Sequence, residues 1–370
     1  MNRVAIVSFG LEHIKRGVEA NALLLFNTLS NYSSNLYLIK GSGNCDRNQI
    51  TIRSPKASTF ICKFLGYFRG GPGYWEALFF TPQLLFHVVR KRITTVYTQE
   101  RIHAIILHLF KRTIKRKLDI IYCEAFQNTN TERLGFANKL QEININNFEQ
   151  IKQKSAEIHN PPHIVFLPHF YIPPAQLRSA SSVEDKIRRF KKGNKLILFV
   201  GDHDHHHKNF HYLLNEMSNI HFHNFVLLGC GHCSMGLKTK IEHLLGSNYM
   251  NLLVDHQVMP TVYRSADIFI LPSLDEGFGI SIIEAFCYKL PVILHANKHF
   301  LSLTNDASQH VDMTKKGTLS KKLVLILSDE KELSRCRAHN YRRYREHYSW
   351  AANKESYLEL FNLSGTNHCK

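Results

Sequence analysis

Residues Asp267–Val292 read DIFILPSLDEGFGISIIEAFCYKLPV. Ile268–Leu271 is a continuous apolar run of strand length, closed by Pro272-Ser273. Glu276-Gly277-Phe278-Gly279 follows as a glycine-bearing turn, and a helix is expected from about Ile280 that carries Glu284. Glycines in such a turn let the backbone approach a ligand, and the free N–H groups at the helix start favour anionic groups. Glu276 and Glu284 stand eight positions apart, so both can face one ligand from the same end of the helix. The bland alternative is a strand–turn–helix joint with one capping and one solvated glutamate.

The pattern repeats outward from this stretch. Leu196–Val200 ends at Gly201 and Phe225–Leu228 ends at Gly229; Asn251–Val254 and Val292–Leu294 are further short strands with helical spacing between them. The second half is therefore expected to be a parallel α/β domain of Rossmann type. The first half opens the same way. Arg3–Phe9 is a buried strand ended by Gly10, and Leu23, Leu24, Phe26 and Leu29 lie at helical spacing within Val18–Leu29. Asn35–Ile39 is a second strand closed by Gly41-Ser42-Gly43, and Thr95–Thr98 and Ile120–Cys123 extend the series. Tyr171-Ile172-Pro173-Pro174 and the polar stretch through Lys192 read as a linker, dividing the chain into residues 1–172 and 173–349. Two such domains facing each other would form a cleft between their strand ends.

Composition sets the bounds. Apolar residues make up 44% and charged residues 21% of the 370, which excludes disorder, collagen and coiled coil. Ala77–Val89 is uncharged but too short to span a bilayer, and the N-terminus lacks a signal-peptide layout. Eight cysteines in mostly apolar stretches suggest reduced thiols and a cytoplasmic setting. Cys230-Gly231-His232-Cys233 has no second pair at zinc-finger spacing and reads as two ordinary thiols around a glycine turn. The net charge is +17, and residues 1–172 hold 22 basic against 11 acidic side chains. That excess suggests an anionic partner for the first half: nucleic acid, anionic lipid or a phosphorylated acceptor. Solvated lysines would explain it equally.

EGFGISIIEA resembles the Glu-x7-Glu signature of retaining glycosyltransferases of family 4, whose GT-B fold has two facing Rossmann-like domains and a C-terminal helix crossing back to the first. Tyr263-Arg264-Ser265-Ala266-Asp267, Leu271-Pro272-Ser273, Phe199-Val200-Gly201 with Lys208, Leu227-Leu228-Gly229 with Gly231, and Ser349-Trp350 are similar to further family motifs. Arg16-Gly17-Val18-Glu19 resembles the acceptor-domain loop of some branches. The match is specific over residues 196–362 and weak over 1–172, to which the helix 350–363 would return.

The resemblance implies that Glu284 holds the ribose hydroxyls of a nucleotide. Glu276 would bind hydroxyls of the transferred sugar, with the backbone N–H groups of Gly277, Phe278 and Gly279. Lys208 would pair with the diphosphate, and Gly201, Gly229 and Ser273 would line the donor site. It implies a retaining, metal-independent transfer of a hexose from a nucleotide-diphosphate sugar, with no cofactor, to a saccharide or lipid-linked glycan in surface polysaccharide, lipopolysaccharide or glycolipid synthesis. Departure of the diphosphate builds negative charge that fixed cations and a helix N-terminus stabilise. The chain departs from the pattern at Asp202, where arginine is common, and the loop continues as DHDHHH. His205 and His206 are the candidates to replace the missing cation. A nucleotide-sugar-binding protein without catalysis is the alternative that Asp202 raises.

On the acceptor side, Arg16, Gly17, Glu19, Gln99, Glu100 and Glu124 fall in loops at strand ends, although Glu19 also suits a helix N-terminus. Residues 60–92 interleave Phe60, Phe64, Tyr67, Phe68, Tyr74, Trp75, Phe79, Phe80 and Phe86 with Lys63, Arg69 and Arg90-Lys91-Arg92. Ile102, Ile105, Ile106 and Leu109 form a stripe running into the basic residues 111–117. Both stretches suit packing on the sheet; the first also suits peripheral contact with an anionic membrane, on its inner face. Nucleic acid is not expected as a partner, because no recognised binding module is present.

Overall fold

The apolar runs become the central strands of two sheets. The computed structural model describes residues 2–14, 16–46, 48–124, 134–155, 160–174, 181–220 and 225–364. It divides into two units, Met1–His169 with Asn353–Lys370, and Phe170–Ala352.

The first unit holds seven strands: β1 (Val4–Ser8), β2 (Leu36–Lys40), β3 (Gln49–Thr51), β4 (Thr95–Thr98), β5 (Asp119–Glu124), β6 (Lys139–Glu142) and β7 (His163–Phe166). They are all parallel, in the order β3-β2-β1-β4-β5-β6-β7. The second holds β8 (Lys195–Val200), β9 (Phe225–Cys230), β10 (Tyr249–Leu252), β11 (Ile268–Leu271), β12 (Val292–His295) and β13 (His310–Val311), also parallel, in the order β10-β9-β8-β11-β12-β13. Both orders reverse direction beside their first strand, between β1 and β4 and between β8 and β11. In an open parallel sheet, loops at such a reversal part and leave a crevice at the carboxyl ends of the strands.

Burial follows from this topology. A parallel sheet covered on both faces needs strands apolar on both sides, and β11 is buried at every residue. In the first unit Ala5, Val7, Val96, Ile120 and Leu140 pack with Phe80, Leu84, Ala104 and Leu107 of the covering helices. Residues 353–364 are held there by Tyr357, whose hydroxyl donates to Pro168 O at 3.0 Å and accepts from Gln141 Nε2 at 3.0 Å.

One expectation is corrected. The polar stretch before β8 is not all linker: Ser181–Lys191 is a helix with Ile187 buried, and Lys191 Nζ lies 2.7 Å from Asp267. Val183, Ile187 and Phe190 fall at helical spacing among charged residues, a thin apolar stripe that composition hides. No helix among the described residues is long and apolar enough to cross a membrane.

Candidate functional site

The reversal between β8 and β11 gathers most of the donor-side residues. The loop after β8 runs from Gly201 through a 3-10 turn, His206–Lys208, and the loop after β11 runs from Pro272 to Gly279. They meet where Lys208 Nζ donates to Glu276 Oε1 at 2.7 Å. Ser273, fully buried, donates from Oγ to the same oxygen at 2.6 Å. Asn209 Nδ2 donates to Pro272 O at 3.1 Å and ties the loops a second time. A carboxylate is thus fixed between a cation and a hydroxyl at the carboxyl ends of two central strands.

Gly279 carries φ +94° at the start of the helix Ile280–Cys287, and a Cβ there would come within 2.7 Å of Ile282 Cδ1. Only glycine fits this left-handed entry, and the first N–H groups of the helix that follows have no partner within the helix itself. Phe278 is core: its ring is buried against His299 and Tyr348, and its carbonyl accepts from His299 Nε2 at 2.9 Å. Only its backbone remains for a ligand.

Glu284 sits farther along the same helix, nearly buried, with Oε2 accepting from the Tyr263 hydroxyl at 2.6 Å and Oε1 3.2 Å from His256 Nε2. Tyr263 stacks on Tyr288 at 5.6 Å and 10°. The hydrogen bond to Glu284 raises the pKa of His256. Sequence reasoning missed His256 and knew Tyr263 only as part of a motif. Nothing in their spacing shows that helix Met259–Ser265 and the residues before it stand over Glu284.

The histidine loop is divided in its tasks. His203 is buried, with Nδ1 on His232 O at 2.8 Å and Nε2 on Tyr249 Oη at 2.9 Å, and burial lowers its pKa to about 4. Gly229 makes room for it, since a Cβ would lie 2.3 Å from His203 Nε2. His205 and His206 are exposed, and His205 packs on His207. His207 is the histidine nearest the carboxylate, 3.9 Å from Glu276, with its pKa lowered by burial first. Asp202, Asp204 and His232 bring ligand atoms within 4.8 Å of one another and could hold a metal ion. Asp204, however, already accepts from Ser234 N and Oγ at the start of helix Met235–Leu245. Burial pushes the Cys230 thiol up to about 12 and raises Cys233, as expected of unreactive thiols.

The first unit has its own cluster at the reversal between β1 and β4. Arg16 precedes the helix Gly17–Leu29 in extended conformation and pairs with the buried Glu19 at 2.5 Å; Glu100 is 3.7 Å away. Gln99 is buried and donates from Nε2 to Asn21 Oδ1 at 3.1 Å. Burial raises Glu100 to about 7, against the pull of Arg16. Glu124 ends β5 in register with Glu142 on β6. Glu142, which sequence reasoning missed, is fully buried with both carboxylate oxygens unpartnered, and burial beside Glu124 pushes it up to about 9.

Residues 181–343 match the family model described as glycosyl transferases group 1. A 120-residue stretch is 29% identical to an uncharacterized 41.2 kDa protein in the cps region of Klebsiella pneumoniae, covering 30% of this chain. That alignment spans 32% of the relative's own length. The chain is also similar over 98% of its length to the structure of sucrose-phosphate synthase from Thermosynechococcus elongatus, covering 98% of that chain at 14% identity and TM-score 0.77. Anabaena HepE in complex with UDP and glucose is similar over 98% of this chain and all of its own, at 11% identity and TM-score 0.72. The two parallel sheets and these structural likenesses give the chain the GT-B fold, and within it residues 181–343, which hold Lys208, Glu276 and Glu284, are similar to glycosyl transferases group 1.

Proposed function

We propose that the chain is a retaining, metal-independent glycosyltransferase. It moves a hexose from a nucleotide-diphosphate sugar to a saccharide or lipid-linked glycan in surface polysaccharide synthesis, from the cytoplasmic side of an anionic membrane. The observation that carries the reading is the joint of Lys208, Glu276 and Ser273 at the reversal of the second sheet, with Glu284 on the adjoining helix. Glu284 would take the ribose hydroxyls, and Lys208 with the N–H groups after Gly279 would take the diphosphate. Glu276 would accept from hydroxyls of the sugar once Lys208 turns to phosphate. In the transfer, the bond from the anomeric carbon to the diphosphate oxygen breaks as the acceptor oxygen bonds that carbon from the same face. The acceptor proton leaves with the phosphate. The relative in a cps region supports the polysaccharide setting, and the UDP and glucose bound to Anabaena HepE support a nucleotide-sugar donor.

Thermal-shift screening against nucleotides and nucleotide sugars tests the reading, since a donor that binds only the folded state raises the melting temperature. Lack of stabilisation by every nucleotide would overturn it. A second reading, a nucleotide-sugar-binding protein without catalysis, is favoured by Asp202 and Asp204, two exposed carboxylates in the loop that would meet phosphate. Turnover of the stabilising donor by the wild type, lost in Glu284→Ala, would exclude it.

A further inference from the structure

Helix Phe60–Phe68 breaks the rule that a surface helix turns its apolar side inward. At ~100° per residue, Phe60, Ile61, Phe64, Tyr67 and Phe68 share one arc of about 120°. That arc faces outward: Phe60 is 82%, Ile61 46%, Phe64 53%, Tyr67 88% and Phe68 69% exposed. The opposite side carries the small residues. Cys62 is fully buried with Sγ 3.7 Å from Pro55 O, and a Cβ on Gly66 would come within 2.6 Å of Pro72 N. The helix is therefore seated on the next one, Gly71–Arg90, by its narrow side, and the rings of its broad apolar side meet one another. Phe60 stacks on Phe64 at 5.9 Å, and Phe68 meets Phe64 and Tyr67 edge-on at 5.3 and 5.6 Å. Single exposed apolar residues are ordinary, but five contiguous ones on a nine-residue helix mark an interaction site.

The charge around this helix narrows the partner. Exposed Lys63 lies on its flank and exposed Arg69 follows its end. From Lys56 to Lys117 the chain has 12 basic residues and two acids, Glu76 and Glu100. Glu76 is buried on His13 and Ala57, and Glu100 is partly buried beside Arg16, so neither opposes the basic surface. Four carboxylates of the unit, Glu19, Glu100, Glu124 and Glu142, lie at its strand ends. Most of the excess over residues 1–172 thus falls in the stretch of sequence that includes the aromatic helix, and Lys63 and Arg69 are the cations that flank it there. The helices at residues 71–90 and 101–113 do not share the outward arrangement as a whole, since Ala77, Phe80, Leu84, Val88, Ala104 and Leu107 turn into the core.

We propose that helix Phe60–Phe68 docks the chain on an anionic bilayer, its aromatic arc at the boundary of headgroups and acyl chains and Lys63 and Arg69 on lipid phosphates. A short helix with a wide aromatic face and flanking cations suits the plane of an interface, where basic residues gain from the surface potential. The inference deepens the membrane part of the proposed function and does not depend on sugar transfer. The test is co-sedimentation of the full chain with extruded vesicles of phosphatidylcholine, alone or with roughly a third phosphatidylglycerol. The expected result is binding to the anionic vesicles that weakens with salt, as a charge contribution must. Lys63→Glu with Arg69→Glu should lower partitioning by about 25-fold or more, given roughly five-fold for each charge removed. Phe64→Glu with Phe68→Glu should abolish it. Tyr67→Glu alone, at the most exposed position, should weaken it without touching the core. All variants should keep the wild-type melting temperature and the wild-type stabilisation by nucleotide. No binding to anionic vesicles at low salt, or equal binding by wild type and variants, would overturn the inference. So would a wild-type dimer that Tyr67→Glu converts to monomer with vesicle binding unchanged, since the arc would then be covered by a second copy.

Discussion

Lys208 Nζ lies 2.7 Å from Glu276 Oε1, and this bond joins the loop after β8 to the loop after β11. Both side chains are largely buried, and Ser273 holds the carboxylate in place from the other side. In the proposed reaction the pair must open, because phosphate competes for Lys208 and sugar hydroxyls compete for Glu276. The pair keeps each charge compensated until the donor arrives. Lys208→Met should therefore lower kcat by about 10²–10³-fold, the usual cost of removing one donor to a developing oxyanion. The protein should still fold, because Glu276 keeps Ser273. Steady-state kinetics beside a thermal melt would check this; unchanged kcat would remove Lys208 from the chemistry.

Glu284 should govern nucleotide affinity instead. Its two oxygens are held by His256 and Tyr263, so the carboxylate is positioned before ligand binds. Glu284→Gln should weaken nucleotide binding by roughly ten-fold or more, the value of a hydrogen bond to a charged group. Tyr263→Phe should cost less, since it removes only a positioning bond. The raised pKa of His256 adds a pH signature. A histidine whose folded pKa is raised adds stability that is complete below the unfolded value of about 6.5 and lost as pH rises through the folded pKa. Wild type should lose stability across that window more steeply than His256→Gln, by melting temperature against pH. Parallel profiles would show that His256 and Glu284 are not coupled.

Glu142 sets a second pH dependence, in the first unit. It is pushed up to about 9, with burial as the main cause and Glu124 adding to it, and Glu100 is raised to about 7. A carboxyl whose folded pKa lies above its unfolded value of about 4.3 keeps its proton in the folded state and sheds it in the unfolded state. The contribution is complete below about 4.3 and disappears as pH rises through about 7 for Glu100 and about 9 for Glu142. Glu142→Gln cannot lose a proton, so its advantage over wild type should grow between pH 5 and pH 9. At about 2–4 °C per kcal/mol, a change of several degrees is readable. A pH-independent difference in melting temperature would mean that Glu142 ionises normally.

The strands with continuous apolar runs were legible because a parallel sheet buries both faces, as in β8 and β11. β6 was not: Lys139–Glu142 reads KLQE, polar at three of four positions, yet Gln141 and Glu142 are fully buried. Glutamine there is held by Tyr357 from a distant part of the chain, a contact that no local pattern announces. Glu276 and Glu284 stood out as candidates because a glycine turn opens a helix beside them, and Lys208 because a family resemblance expects a cation after β8. His207 was passed over for its neighbours His205 and His206, since identical residues in a row differ only in the direction the turn gives them. The aromatic stretch was visible as composition, but which side of helix Phe60–Phe68 faces out depends on Cys62 and Gly66 against the next helix.

Gly231 is the position where backbone geometry and ligand site are most tightly linked. Its φ is +151°, and a Cβ would fall 2.0 Å from the carbonyl oxygen of Gly201, the first residue of the loop that carries Lys208. The neighbour is backbone, so no side-chain rotation relieves the clash, and β8 or β9 must shift at its end. Gly231→Ala should therefore cost about 1–3 kcal/mol, as for other overpacked positions. It should also weaken nucleotide binding by displacing Lys208 relative to Glu276. Gly236 is the control, because a Cβ there meets nothing within 4 Å and it lies inside helix Met235–Leu245, where alanine is the better helix former. Gly236→Ala should leave binding unchanged and raise the melting temperature slightly. Thermal melts with and without nucleotide separate the two effects: if Gly231→Ala melts and binds like Gly236→Ala, the approach of the two loops is not tight enough to position Lys208.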